Sequence, residues 1–77
     1  MATRAYILIE TQVGRAKQVA LELRSFQGVL SADVVTGKFD IIALIEASDM
    51  SAMADLVTGQ AQSIRGVLRT ITCVAAG

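Results

Sequence analysis

Val29-Leu30-Ser31-Ala32-Asp33-Val34-Val35, then Thr36-Gly37-Lys38-Phe39-Asp40, then Ile41-Ile42-Ala43-Leu44-Ile45: this unbroken run decides the fold. The outer two segments are short, apolar and rich in β-branched residues, and each has the length of a strand. The polar segment between them contains one glycine, the signature of a hairpin connection. Two antiparallel neighbours are therefore fixed in the middle of the chain, and everything else must be arranged around them.

Ala5-Tyr6-Ile7-Leu8-Ile9 is nearly continuous apolar sequence, like Ile41–Ile45. Strands of that kind are covered on both faces and belong at the centre of a sheet. Leu30–Val35 and Val67–Val74 intersperse Ser31, Asp33, Arg69, Thr70 and Thr72, which suits edge strands. Between Gly14 and Phe26 the spacing changes: Ala16, Val19, Ala20, Leu23 and Phe26 form one stripe of a helix that Gly28 ends. A second helix follows Ser48-Asp49, either of which can cap it, with the stripe Met50, Met53, Ala54, Val57, Ala61 and Ile64, and Gly66 closes it. Gly59 lies inside that helix and weakens it by roughly 1 kcal/mol relative to alanine.

The order is strand–helix–strand–strand–helix–strand. Gly28-Val29-Leu30 recurs as Gly66-Val67-Leu68, each time between a helix and a strand. Two such halves joined by a hairpin make a ferredoxin-like βαββαβ sandwich of the α+β class, with a four-stranded antiparallel sheet and both helices on one face. Right-handed crossovers place the first and third strands in the middle. The face without helices then carries alternate apolar residues, either Tyr6, Leu8, Ile42 and Leu44 or their neighbours. A patch of that kind marks an interface, so a dimer packed sheet against sheet is expected, an α/β-barrel-like assembly.

Composition agrees. Seventy-seven residues make a single domain, yet 53% of them are hydrophobic, more than one small core hides. Seven basic and seven acidic residues, scattered along the chain, argue against a nucleic-acid footprint. No run reaches about 18 apolar residues, so no membrane-spanning helix is expected. The start of the chain lacks the charge and apolar block of a signal peptide. The one cysteine, Cys73, forms no internal bridge, which fits the cytoplasm, and it reads as a small core or interface residue.

Most catalytic chemistry has nothing to stand on. Histidine is absent, and one cysteine builds neither a thiolate metal site nor a Cys-x-x-Cys pair. No phosphate-cradling glycine motif occurs, two phenylalanines and a tyrosine make no base-stacking platform, and no cofactor is implied. What remains is the turn. Asp40 is a carboxylate at the mouth of a strand beside Gly37, whose backbone can approach a ligand closely. That pairing suits an ammonium and a carboxylate together, though the same residues also fit a plain solvated hairpin. Thr70 and Thr72 project from one face of the last strand and either bind a ligand or simply serve the strand. Arg65 and Arg69 flank that strand and read first as a solvated edge.

Taken together, Ala5–Ile9, Gly28-Val29, Val35-Thr36-Gly37-Lys38-Phe39-Asp40 and Gly66-Val67-Leu68-Arg69-Thr70-Ile71-Thr72 resemble the effector-binding domain of the Lrp/AsnC regulators of amino-acid metabolism, from Ala5 to Ala75. The resemblance implies homodimers that assemble further, up to a ring of four dimers (an octamer), with a small amino-acid effector bound where dimers meet. It points to Thr36, Gly37 and Asp40, and less directly to Thr70 and Thr72, as effector-binding residues. Phe39 stands where the family usually has tyrosine, which removes a hydrogen bond worth roughly 0.5–1.5 kcal/mol. Full-length members carry an N-terminal helix-turn-helix domain, for which this sequence has no room. The expectation is a stand-alone, non-enzymatic module that binds neither DNA nor membrane itself and modulates full-length relatives by co-assembly. Two other readings fit the same fold: a small dimeric enzyme of the cofactor-free monooxygenase type, and a ligand-free assembly partner.

Overall fold

The structure, a computed structural model, describes residues 2–76. Strand β1 (Thr3–Thr11) leads to helix α1 (Ala16–Arg24), strands β2 (Val29–Val34) and β3 (Ile41–Ala47), helix α2 (Met50–Asp55) and strand β4 (Val67–Val74). The sheet is antiparallel in the order β2-β3-β1-β4, so the two most apolar strands are central and the two mixed ones form the edges, as their composition requires. The first and last strands also meet at their outer ends: Ala5 is opposite Val74, and the Ala75 N–H donates to the Arg4 carbonyl at 2.8 Å.

Strand alternation sorts the sheet into two faces. Ala5, Ile7, Ile9, Ala32, Ile41, Ala43 and Ile45 are buried beneath the helices, against Val19, Ala20 and Leu23 of α1 and Met53 of α2. Gly28 turns the chain from α1 into β2 with φ +98°, and a Cβ there would lie 2.9 Å from the Glu46 carbonyl oxygen, so only glycine fits. Gly66 holds the matching place before β4 with φ +102°, which gives the sequence repeat a structural meaning.

The second helical segment departs from the expected regular helix. After α2, capped by the Asp49 carboxylate accepting from the Ala52 N–H at 2.8 Å, the backbone widens into a π-turn over Leu56–Gln60 and tightens into a 3₁₀ turn over Ala61–Ser63. Gly59 lies in the widened turn. The Thr58 hydroxyl donates to the Ala54 carbonyl and the Ser63 hydroxyl to those of Gly59 and Gln60, competing for the acceptors a regular helix would use. The stripe shifts accordingly. Met53, Val57, Ala61 and Ile64 are buried as expected and Leu56 joins them, whereas Met50 and Ala54 face solvent. Helix α1 ends at Arg24, so Phe26 packs half-buried from the following turn rather than from the helix.

Candidate functional site

The hairpin closes with the Val35 N–H donating to the Asp40 carbonyl at 2.9 Å, and the Asp40 N–H donates to the Ile9 carbonyl at 2.9 Å. Asp40 then does something the sequence did not disclose. Its Oδ2 accepts the backbone N–H of buried Thr11 at 2.8 Å, continuing the β1–β3 ladder one step beyond the last backbone pair. The carboxylate is thus held by the scaffold and half-buried. Thr36 and Gly37 belong to the turn that precedes it, with Gly37 exposed at its tip at φ +149°.

Thr36, Gly37 and Asp40 therefore share one turn. Thr70 and Thr72 lie across β1, opposite Ile9 and Ile7, so Thr70 is two strand spacings, about 10 Å, from the Asp40 backbone. Both threonines point to the helix side of the sheet, and the Thr70 hydroxyl accepts from Gln62 Nε2 at 2.9 Å. Within one copy of the chain the five residues do not wall a single pocket. A shallow cleft of about 350 Å³ touches Thr70, together with Gln62, Val67, Leu68 and Arg69. A larger concavity, about 700 Å³, lies at the far end of the sheet, between Gln27, Leu30, Glu46 and the β3–α2 connection on one side and Asp55 and Gln60 on the other.

The helix-free face is the other notable surface. Tyr6, Leu8, Ile42, Leu44, Ile71 and Cys73 alternate onto it from the three strands β1, β3 and β4. Tyr6 is 46% exposed and Ile71 39%. Charged cross-strand pairs frame this apolar centre: Arg4 with Glu46 at 3.8 Å at one end, Arg69 with Glu10 at 3.9 Å at the other. Both pairs are substantially solvated and contribute little to stability. At the hairpin end the Arg69 guanidinium also lies 5.7 Å from the centre of the Phe39 ring. The joining of Phe39, Glu10 and Arg69 is the part of the site that sequence reasoning missed, because it depends on which residues the β1–β4 register sets side by side. An apolar centre with a polar rim is the anatomy of a protein interface. Cys73 is exposed on this face in the single chain.

Among the described residues no cluster of His, Cys, Asp or Glu could hold a metal ion, and no helix is long and apolar enough to cross a membrane.

The chain is thus a four-stranded antiparallel sheet roofed on one side by two helices, with an open apolar face and a hairpin carboxylate anchored on the neighbouring strand. Residues 4–76 match the family described as the Lrp/AsnC ligand binding domain, and the chain belongs to that family. An uncharacterised HTH-type transcriptional regulator of Pyrococcus abyssi is 28% identical over 78 residues, covering 97% of this chain and 52% of the relative. The chain thus spans about half the length of the curated relatives it matches. A solved structure from Thermus thermophilus is 29% identical with a TM-score of 0.92, covering 97% of this chain and 94% of that one. A Neisseria meningitidis transcriptional regulator, solved as a complex with L-Met, shares the fold at 23% identity and a TM-score of 0.86, covering 97% of this chain and 50% of that one.

Proposed function

We propose that this chain is a cytoplasmic, non-enzymatic regulatory module that binds a small amino acid at the hairpin, self-associates through its open sheet face, and modulates transcription regulators of amino-acid metabolism. The observation that carries this reading is the anchored carboxylate of Asp40. One oxygen is spent on the Thr11 N–H, which fixes the group, and the other is left to receive a ligand ammonium. Backbone N–H groups around Gly37 and the hydroxyls of Thr36, Thr70 and Thr72 are the donors for the ligand carboxylate, the threonines of β4 being supplied from a neighbouring copy. Membership of a ligand-binding family supports the reading, as does the methionine held by the Neisseria regulator of the same fold.

Because the walls come from more than one copy, the ligand stabilises whichever assembly completes them. The test is a calorimetric and thermal-shift screen of the twenty amino acids, with the mass in solution followed in parallel. At least one amino acid is expected to raise the melting temperature and shift the mass distribution. No response from any of them at millimolar concentration, in material that does self-associate, removes the sensor reading and leaves an assembly module. A folded single subunit that persists at high concentration removes the shared site altogether.

A further inference from the structure

The two outer edges of the sheet are treated differently. Strand β2 is defended: it is short, bulged between Val29 and Ser31, and its outward-facing Ala32 carbonyl accepts two bonds from Arg24, at 3.0 Å from Nε and 2.6 Å from Nη2. Bulges and charged side chains laid over an edge are what stop a strand from pairing with another chain. Strand β4 is bulged only at its start, at Leu68, where Glu10 pairs with Arg69 and Thr11 with Val67; along Arg69–Val74 it runs regularly to its end, with no proline and the single charge of Arg69.

The ladder settles which of its groups are free. On β1, Ile9 directs its carbonyl towards Asp40 on the β3 side, and Arg4 directs its own towards Ala75 on the β4 side. Antiparallel pairing alternates, so Tyr6, Leu8 and Glu10 bond to Cys73, Ile71 and Arg69, and the N–H and C=O groups of Thr70, Thr72 and Val74 point outwards. Among the described residues no strand lies beyond them. Moreover, Thr70-Ile71-Thr72 reads the same in both directions about Ile71. Three large apolar residues of β4 are exposed: Leu68 at 58%, Ile71 at 39% and Val74 at 45%.

We infer that β4 pairs antiparallel with β4 of a second copy of this chain, about a two-fold axis through Ile71, joining two four-stranded sheets into one continuous sheet. The axis must pass through a residue, because an axis between residues would set outward groups against inward ones. Placed at Ile71 it matches like with like. Thr70 exchanges both backbone bonds with Thr72 of the partner subunit, and the reverse pair does the same. Ile71 meets Ile71 of the partner subunit at a non-hydrogen-bonded position. Arg69 faces Cys73 of the partner subunit, with no like charge opposed. Threonine–threonine and apolar cross-strand pairs are favourable ones. This interface is separate from the open face and does not depend on amino-acid binding. It brings the threonines of two copies into one ladder.

Cysteine cross-linking reads the register directly. Residues opposed at a non-hydrogen-bonded position have Cα atoms about 4.5 Å apart, within disulfide range. Mild oxidation should convert the Ile71→Cys, Cys73→Ser double variant into a covalent dimer. Arg69→Cys with Cys73 retained should cross-link between copies, whereas Arg69→Cys with Cys73→Ser should stay single. Equal cross-linking of the last two, or none by Arg69→Cys with Cys73 retained, overturns the proposed register. Independently, Thr72→Pro deletes an outward N–H without touching the β1 ladder, and should weaken edge association about ten-fold or more. Wild-type mass in folded Thr72→Pro across a dilution series overturns the inference. If that variant does not fold, the cysteine series decides. A Leu44→Glu variant disrupts the open face alone, so failure there leaves the edge result standing.

Discussion

Replacing Asp40 by alanine tests the scaffold role of the hairpin carboxylate apart from any ligand. The substitution removes the acceptor 2.8 Å from the Thr11 N–H, on a residue that is only 7% exposed, and supplies no replacement. A hydrogen bond to a charged group contributes about 1.5–3 kcal/mol, and a buried donor left unpaired falls in the same range. At about 2 kcal/mol, in a domain of this size where each kcal/mol moves the midpoint by about 4–8 °C, the melting temperature should fall by about 8–16 °C. Asparagine keeps a neutral acceptor oxygen and should recover more than half of that loss. The assay is thermal unfolding followed by circular dichroism, without amino acids and at one fixed protein concentration, since association also shifts the midpoint. An Asp40→Ala variant melting within about 2 °C of the parent would refute the ladder role assigned to this carboxylate. The asparagine variant then separates the two functions, because it preserves the fold while removing the charge an ammonium needs.

Further outcomes follow from the same geometry. Gly28→Ala forces a side chain against the Glu46 carbonyl as well as straining a positive φ, and should cost about 2–4 kcal/mol in chemical unfolding. Asp49→Ala removes the cap on Ala52 and should destabilise by about 1 kcal/mol by the same measurement. Leu23→Ala, in the fully buried centre of α1, should cost about 2–5 kcal/mol. Leu44→Glu should lower the mass measured by sedimentation while leaving the far-ultraviolet circular dichroism unchanged, because it charges the open face and not the core.

What could be read from sequence divides along a physical line. Strand order followed from hydrophobicity, since Ala5–Ile9 and Ile41–Ile45 are apolar at successive positions and only central strands tolerate that. The helix turns at Gly28 and Gly66 followed from local chemistry, as did a cap at Ser48 or Asp49, of which the structure uses Asp49. The π-turn at Leu56–Gln60 did not, because stripes drawn with a fixed period assume the helix they are meant to find. Thr36, Gly37 and Asp40 were recognisable as one turn because they are close in sequence. The bond from Thr11 to Asp40 spans 29 positions, and the meeting of Phe39, Glu10 and Arg69 depends on strand register. Such long-range pairings exist only once the sheet is assembled, and no local pattern encodes them.

Because β1 and β4 run side by side, with the Ala75 N–H on the Arg4 carbonyl, the outer ends of the two strands lie at one corner of the sheet. A few glycines bridging position 76 to position 2 would close the backbone into a loop, and cutting it instead at the exposed tip between Gly37 and Lys38 should yield a circular permutant with the same four strands in the same order. Any module fused at either end would likewise hang from that corner, on the opposite side of the domain from the hairpin.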